Sequence, residues 1–202
     1  MIKKLLGEKY SEGLALEIRS YFLDCFGSEK RIDYGTGHEI NFLCILYILT
    51  CTGILDIEDS RPILHHLFFP YIFLVRKIQL LYKLEPAGAH GVWGLDEYHF
   101  LPFLFGASEL IDHEIITPSS VLSDRTIKDF SDSYMYLSCV EHVKKVKTGG
   151  SFENHSPTLA SISNVPNWRK VANGLVKMYY DEFFKKYVIM QHFYFGSVIR
   201  FE

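Results

Sequence analysis

Residues 38–52, HEINFLCILYILTCT, constrain this chain more than any other stretch. At helical spacing they are apolar on nearly every face, so a helix built from them has no side to turn to water. The wider run Ile40 to Leu55 is broken by Asn41, Thr50, Thr52 and Gly53, and it falls short of the roughly 20 apolar residues that cross a bilayer. Such a helix belongs at the centre of a folded core, with Gly53 as its stop, and the remaining segments must be arranged to jacket it.

The neighbouring segments have the right pattern for that task. Residues 11–26 place Leu14, Ile18, Tyr21, Phe22 and Cys25 at helical spacing, with Ser11 as cap and Gly27 as stop. Asp59 or Ser60 caps a third helix that runs to about Leu84, where Pro70 should kink it. Asp96 or a neighbour opens a further helix interrupted at Pro102, Thr117-Pro118 is another cap signal, and Ser123 begins a segment to Lys147. Lys144, Lys145 and Lys147 complement the carbonyl end of that helix's dipole. Pro166 and Asn167 open a last helix with Trp168, Val171, Leu175, Met178 and Phe183 near one face. Strand signals are few: VIMQHFYFG alternates weakly, and no hairpin turn separates two alternating runs. The expected architecture is all-α and irregular, and at about 150 residues per domain one compact domain over residues 1–202 is the default.

Composition removes several classes of function. With 21 basic and 24 acidic residues the chain has no positive field to hold a nucleic-acid backbone, so neither nucleic acid nor membrane is expected as a partner. Cys25, Cys44, Cys51 and Cys139 fall in apolar surroundings with no C-x-x-C pair, which fits a reducing compartment. The N-terminal MIKKLLGEKY lacks a secretory apolar run, so a cytoplasmic address, with the nucleus open, is expected. The histidines have no zinc spacing, and no G-x-S-x-G elbow supports a serine hydrolase.

Three polar, glycine-bearing loops stand out between the apolar segments: Arg31 to Glu39 (RIDYGTGHE), Glu85 to Glu97 (EPAGAHGVWGLDE) and Gly149 to Ser156 (GGSFENHS). Loops of this composition on a rigid helical scaffold are where binding sites usually lie. In the first, the free N–H groups of the helix that follows could dock an anion, or Gly35 and Gly37 could simply make a turn with Thr36 as the cap. The second matches neither the P-loop nor the dinucleotide fingerprint. It offers a bare backbone, an aromatic and hard oxygen ligands, or else a packed loop with Trp93 buried.

RIDYGTGHE, LEPAGAHGVWGLDEYHFLPFLFGASELIDH, KTGGSFENHSPTLASISNVPNWRKVANGLVKMY and QHFYFGS, in that order, resemble the phosphotyrosyl phosphatase activator family, the activators of serine/threonine protein phosphatase 2A. The resemblance covers about Arg31 to Ser197, and only about thirty residues precede it where family members carry a longer helical region. It implies an all-helical fold with a deep cleft between helical subdomains. It also implies a chaperone that binds the phosphatase catalytic subunit with ATP and Mg and helps it acquire metals, with peptidyl-prolyl cis/trans isomerase activity on prolyl peptides and a peptide-induced dimer. The alternative is a non-catalytic module that holds the phosphatase without isomerase turnover. Carried over by motif, Arg31, Thr36, Gly37, Gln191 and His192 contact the nucleotide, Val188 stands where the family has a proline in that site, and the magnesium lies near Gly91. Asp33, Val92, Trp93 and Asp96 match cleft positions for peptide or phosphatase, the catalytic candidates.

Overall fold

A computed structural model describes residues 2–88, 94–147 and 149–201, and the chain groups into two compact units, residues 1–87 with 187–202 and residues 88–186. The described residues are overwhelmingly helical, as the patterning requires. No helix among them is long and apolar enough to cross a membrane.

The first unit is built around the apolar segment 38–52. It contains α1 (Ile2–Leu6), α2 (Glu12–Asp24), α3 (Thr36–Cys51), α4 (Ser60–Ile63) and α5 (Phe69–Tyr82). Ser11 caps α2, its side chain accepting from the Leu14 N–H. Helix α3 packs along α2 and buries Ile40, Cys44, Ile45, Leu46, Ile48 and Leu49, yet it is not enclosed all round, since Tyr47 and Cys51 are exposed. Burial pushes the Cys25 and Cys44 thiols up to about 12, so neither is a nucleophile at neutral pH. At Pro70 the helical course changes type: Leu64–Phe68 is a π-helical stretch in which the Phe69 N–H bonds the Leu64 carbonyl, and Pro70 lies in the first turn of α5. A proline has no N–H and its ring clashes with the carbonyl four residues back, so widening the preceding turn relieves the clash without ending the helix.

One boundary is corrected here, and one short ladder is added. Helix α3 begins at Thr36, not His38, and Gly35 is its cap, with Thr36 in the first turn. The one ladder among the described residues is not in VIMQHFYFG but in the loops: β1 (Asp33–Tyr34) pairs in parallel with β2 (Glu85–Pro86), Asp33 opposite Glu85. Such a pair is too short for any alternation to be visible in sequence.

The second unit contains α6 (Leu101–Glu109), α7 (Asp124–Phe130), α8 (Met135–Val146), α9 (Phe152–His155), α10 (Pro157–Ser163) and α11 (Trp168–Tyr179). Pro102 does not interrupt α6 but lies in its first turn, where a missing N–H costs nothing. The segment expected from Ser123 to Lys147 is two helices, each with its own start. Helix α6 packs against α8 and α11, with Phe103 edge-on to Tyr136 at 5.5 Å and Tyr136 against Trp168 at 4.8 Å. The Trp168 indole donates to the Ile116 carbonyl at 2.6 Å, satisfying the single polar atom of a buried ring. The Tyr136 hydroxyl, fully buried in the same cluster, has no hydrogen-bond partner among the described residues. Replacing it removes an uncompensated polar group from the core, so Tyr136→Phe should raise stability by about 1 kcal/mol and the melting temperature by about 2–4 °C. A lower melting temperature by calorimetry would show that the hydroxyl is paired in solution.

The chain returns to the first unit through α12 (Tyr187–Met190), after which residues 191–201 are irregular.

Candidate functional site

The first loop motif is held by a network on α2, α3 and β1. Arg31 Nε donates to Asp33 Oδ2 at 2.8 Å, and Arg31 Nη2 lies 3.2 Å from His38 Nε2. A guanidinium can only donate, so Nε2 is the acceptor and the proton of the neutral ring sits on Nδ1, which donates to the Asp24 carbonyl at 2.6 Å. Asn41 Nδ2 donates to Asp24 Oδ2 at 2.8 Å, so the end of α2 is tied to the first turns of α3. The hydrogen bond to Asp33 raises the Arg31 pKa further, against a small opposing effect of burial, with smaller additions from Asp33, Asp24 and Tyr194 charges, so this cation is permanent.

The β1–β2 ladder brings the start of the second motif onto the first. The Glu85 N–H donates to the Ile32 carbonyl and the Ala87 N–H to the Tyr34 carbonyl, each at 2.8 Å. Gly35 lies so close to Ala87 that a Cβ there would come within 2.5 Å of the Ala87 carbonyl oxygen. Beneath the ladder Tyr34 donates to the Tyr71 hydroxyl at 2.7 Å, and Tyr71 donates to the Cys25 carbonyl at 2.6 Å. Both phenols are buried, and desolvation raises their pKa values well above the usual range, so the chain of hydroxyls is a neutral strut.

The sequence candidates are distributed as follows. Arg31 and Asp33 are joined in this network, and Thr36 and Gly37 directly precede His38 in the first turn of α3. Gly37 stands in the first turn of α3 with open space where a Cβ would be, while the Arg31 side chain is 60% exposed and that of Asp33 only 15%. Gln191 and His192 follow α12 in the same unit, Val188 falls within α12, and Asp96 belongs to the second unit. Gly91, Val92 and Trp93 lie outside the described residues. Both carboxylates singled out from sequence keep one oxygen without a hydrogen bond among the described residues. Asp33 Oδ1 is buried 3.5 Å from a histidine nitrogen that is already accepting, and Asp96 Oδ2 is buried while Oδ1 accepts from the Tyr98 N–H. Among the described residues no group of His, Cys, Asp and Glu could hold a metal ion by itself.

Sequence reasoning missed His38, Asp24 and Asn41 as the frame of the site, although His38 lies inside the quoted motif. It also missed the C-terminal anchor. The Glu17 carboxylate accepts from the backbone N–H groups of Ser197, Val198 and Ile199 at 2.7–3.3 Å and from the Ser197 hydroxyl at 2.9 Å. Burial alone would push this carboxyl up, but the hydrogen bonds from Ile199, Ser197 and Val198 outweigh it and the net shift is downward. No periodicity or motif marks a glutamate that caps a loop from the far end of the chain.

A glycine-bearing helix start with a tethered arginine, joined by a parallel ladder to a second glycine loop, is the arrangement to set beside known proteins. The family model described as phosphotyrosyl phosphate activator (PTPA) protein matches residues 1–201. This chain belongs to the PTPA family. It is 49% identical over 194 residues to the serine/threonine-protein phosphatase 2A activator 2 of Kluyveromyces lactis, covering 96% of this chain and 54% of that protein. To the protein of the same name from Saccharomyces cerevisiae it is 46% identical over 186 residues, covering 91% and 52%. The crystal structure of the PP2A phosphatase activator Ypa1 superposes with a TM-score of 0.80 at 33% identity, covering 91% of this PTPA chain and 59% of the other. The chain thus spans about half the length of the curated relatives it matches.

Proposed function

We propose that this chain activates serine/threonine protein phosphatase 2A, binding the catalytic subunit together with ATP-Mg and assisting its folding and metal loading, with peptidyl-prolyl isomerase activity. The observation that carries the nucleotide part is the open space at Gly37. Neither crowding nor backbone angle demands a glycine there, whereas the start of a long helix beside the Arg31 fork is the chemistry a phosphate uses. The donor set fits the group: the His38 and Glu39 N–H groups bond the Gly35 carbonyl, which leaves those of Thr36 and Gly37 at the start of α3, and Asp33 and His38 orient the guanidinium without neutralising all of its donors. Bound ATP-Mg would supply phosphate oxygens that Arg31 and the helix start neutralise. With no metal-holding cluster among the described residues, the magnesium would keep mainly phosphate and water ligands.

Isomerisation needs no nucleophile. The barrier of about 18–20 kcal/mol falls when a twisted imide is held in a dry pocket that favours a pyramidal nitrogen. The ion pair of Asp33 with Arg31 favours the second reading, a binding module without turnover, because a carboxylate so engaged serves to orient the arginine rather than to grip a peptide. A protease-coupled prolyl peptide assay on the intact chain separates the two: turnover above the uncatalysed rate supports the isomerase, and its absence leaves the binding module.

The binding claim is tested by capture of the phosphatase catalytic subunit with and without ATP-Mg. The wild-type chain should retain more subunit when nucleotide is present, and Arg31→Ala should lose that increment, on the order of tenfold in affinity for one charge-assisted bidentate contact. Equal capture by both chains would place docking elsewhere.

A further inference from the structure

Helix α2 presents three residues on one face, Glu17, Tyr21 and Asp24, at the spacing of successive helical turns. Each grips a different piece of the polar surface. Asp24 holds His38 and Asn41 and through them the Arg31 loop; Tyr21 donates to the Tyr194 carbonyl at 2.7 Å; Glu17 gathers the N–H groups of Ser197, Val198 and Ile199. The N–H groups of Gln191, His192 and Phe193 close the end of α12 on the Tyr187, Ile189 and Met190 carbonyls, and from Tyr194 to Ile199, where regular structure is lacking, the chain is held by the α2 grips and by the Gly196 N–H donating to the Ile199 carbonyl at 2.7 Å. Gly196 lies directly against the Glu17 carboxylate, leaving no space for a Cβ.

We propose that Glu17 is the positioning residue of the nucleotide site: by clasping residues 197–199 it holds Gln191 and His192 against the same helix that fixes Arg31, so that release of the clasp uncouples the two halves of the site. The proposal rests on the nucleotide reading of these motifs. The mechanism is steric and electrostatic. A carboxylate can accept all four donors at once, whereas the amide of Glu17→Gln offers a single acceptor oxygen and brings N–H groups to face N–H groups. The loop then loses its anchor while α2 and α3 remain packed.

The test measures ATP-Mg affinity by calorimetry together with amide hydrogen exchange, on the full chain. In Glu17→Gln the amides of 197–199 should exchange at least tenfold faster and the Kd for ATP-Mg should rise about tenfold. Gly196→Ala, which forces the clasp apart from the other side and keeps the charge, should do the same. The readout that a merely structural effect would not produce is coupling. If Glu17 acts through the Gln191–His192 segment, adding Glu17→Gln to a chain that already carries both Gln191→Ala and His192→Ala weakens binding no further. Affinities unchanged in Glu17→Gln and Gly196→Ala despite faster exchange, or a further loss when Glu17→Gln is added to the Gln191→Ala, His192→Ala chain, would overturn the proposal. Absence of ATP-Mg binding by the wild-type chain would overturn the nucleotide reading itself, and the link with it.

Discussion

Gly106→Ala should destabilise the second unit by about 3 kcal/mol, at the upper end of what overpacking a core usually costs. Gly106 lies on α6 where that helix crosses α8, and a Cβ there would fall onto the backbone N and Cα of Tyr136. A side chain in the way can change rotamer; a helix backbone cannot, so α6 and α8 must separate. Separation loosens Phe103, Tyr136 and Trp168 together, because each ring packs on the next. Helix propensity works in the opposite direction, since alanine in a helix is favoured over glycine by about 1 kcal/mol, and the net loss is what survives that gain. For a chain of this size the melting temperature should fall by roughly 10 °C. Gly174→Ala is the control: Gly174 is an exposed residue of α11 with nothing within 4 Å of a Cβ, so there the propensity gain stands alone and the transition should move up slightly. A Gly106→Ala chain that melts with the wild type would mean that the α6–α8 crossing is wider in solution.

The contrast between those two glycines shows what was legible in the sequence and why. Periodicity carried the helices: a central α3, a capped α2, and α11 opened by Asn167, whose side chain accepts from the Lys170 N–H. It did not carry the exceptions that come from contacts distant in sequence. Nothing in DYG or EPA announces a parallel ladder, because each strand is formed by its partner rather than by its own pattern. Prolines read as breaks were absorbed, Pro102 into a first turn and Pro70 by a π-helical stretch, since position within the helix decides what a missing N–H costs. At the candidate site the motif residues were legible because the loops that carry them are polar and rich in glycine. The frame was not: Asp24, Asn41, Glu17 and Tyr21 sit on ordinary helical positions and gain their roles only through partners elsewhere in the chain.

Gly37→Ala should leave the fold intact and remove most of the affinity for ATP-Mg. The structural half of that expectation follows from the geometry of α3. Gly37 occupies the first turn, its φ is not in the left-handed region, and a Cβ would meet nothing within 4 Å. Alanine therefore fits without strain and relieves the entropy cost of a helical glycine, so the melting temperature should stay level or rise by a degree or two, for a gain of up to about 0.5–1 kcal/mol. The functional half follows from the proposed nucleotide reading, in which a phosphate enters that open space. A phosphate held on first-turn N–H groups must approach the backbone closely, and a methyl group in that approach pushes it outward, weakening every charge-assisted bond made there. A loss of tenfold to a hundredfold in affinity, about 1.4–2.7 kcal/mol, is expected by calorimetry. Gly35→Ala makes the opposite profile: its Cβ strikes the Ala87 carbonyl and parts the β1–β2 ladder, so stability falls first and binding falls with it. A Gly37→Ala chain that binds ATP-Mg as tightly as the wild type would show that the glycine serves no ligand, and the phosphate would have to be sought away from the start of α3.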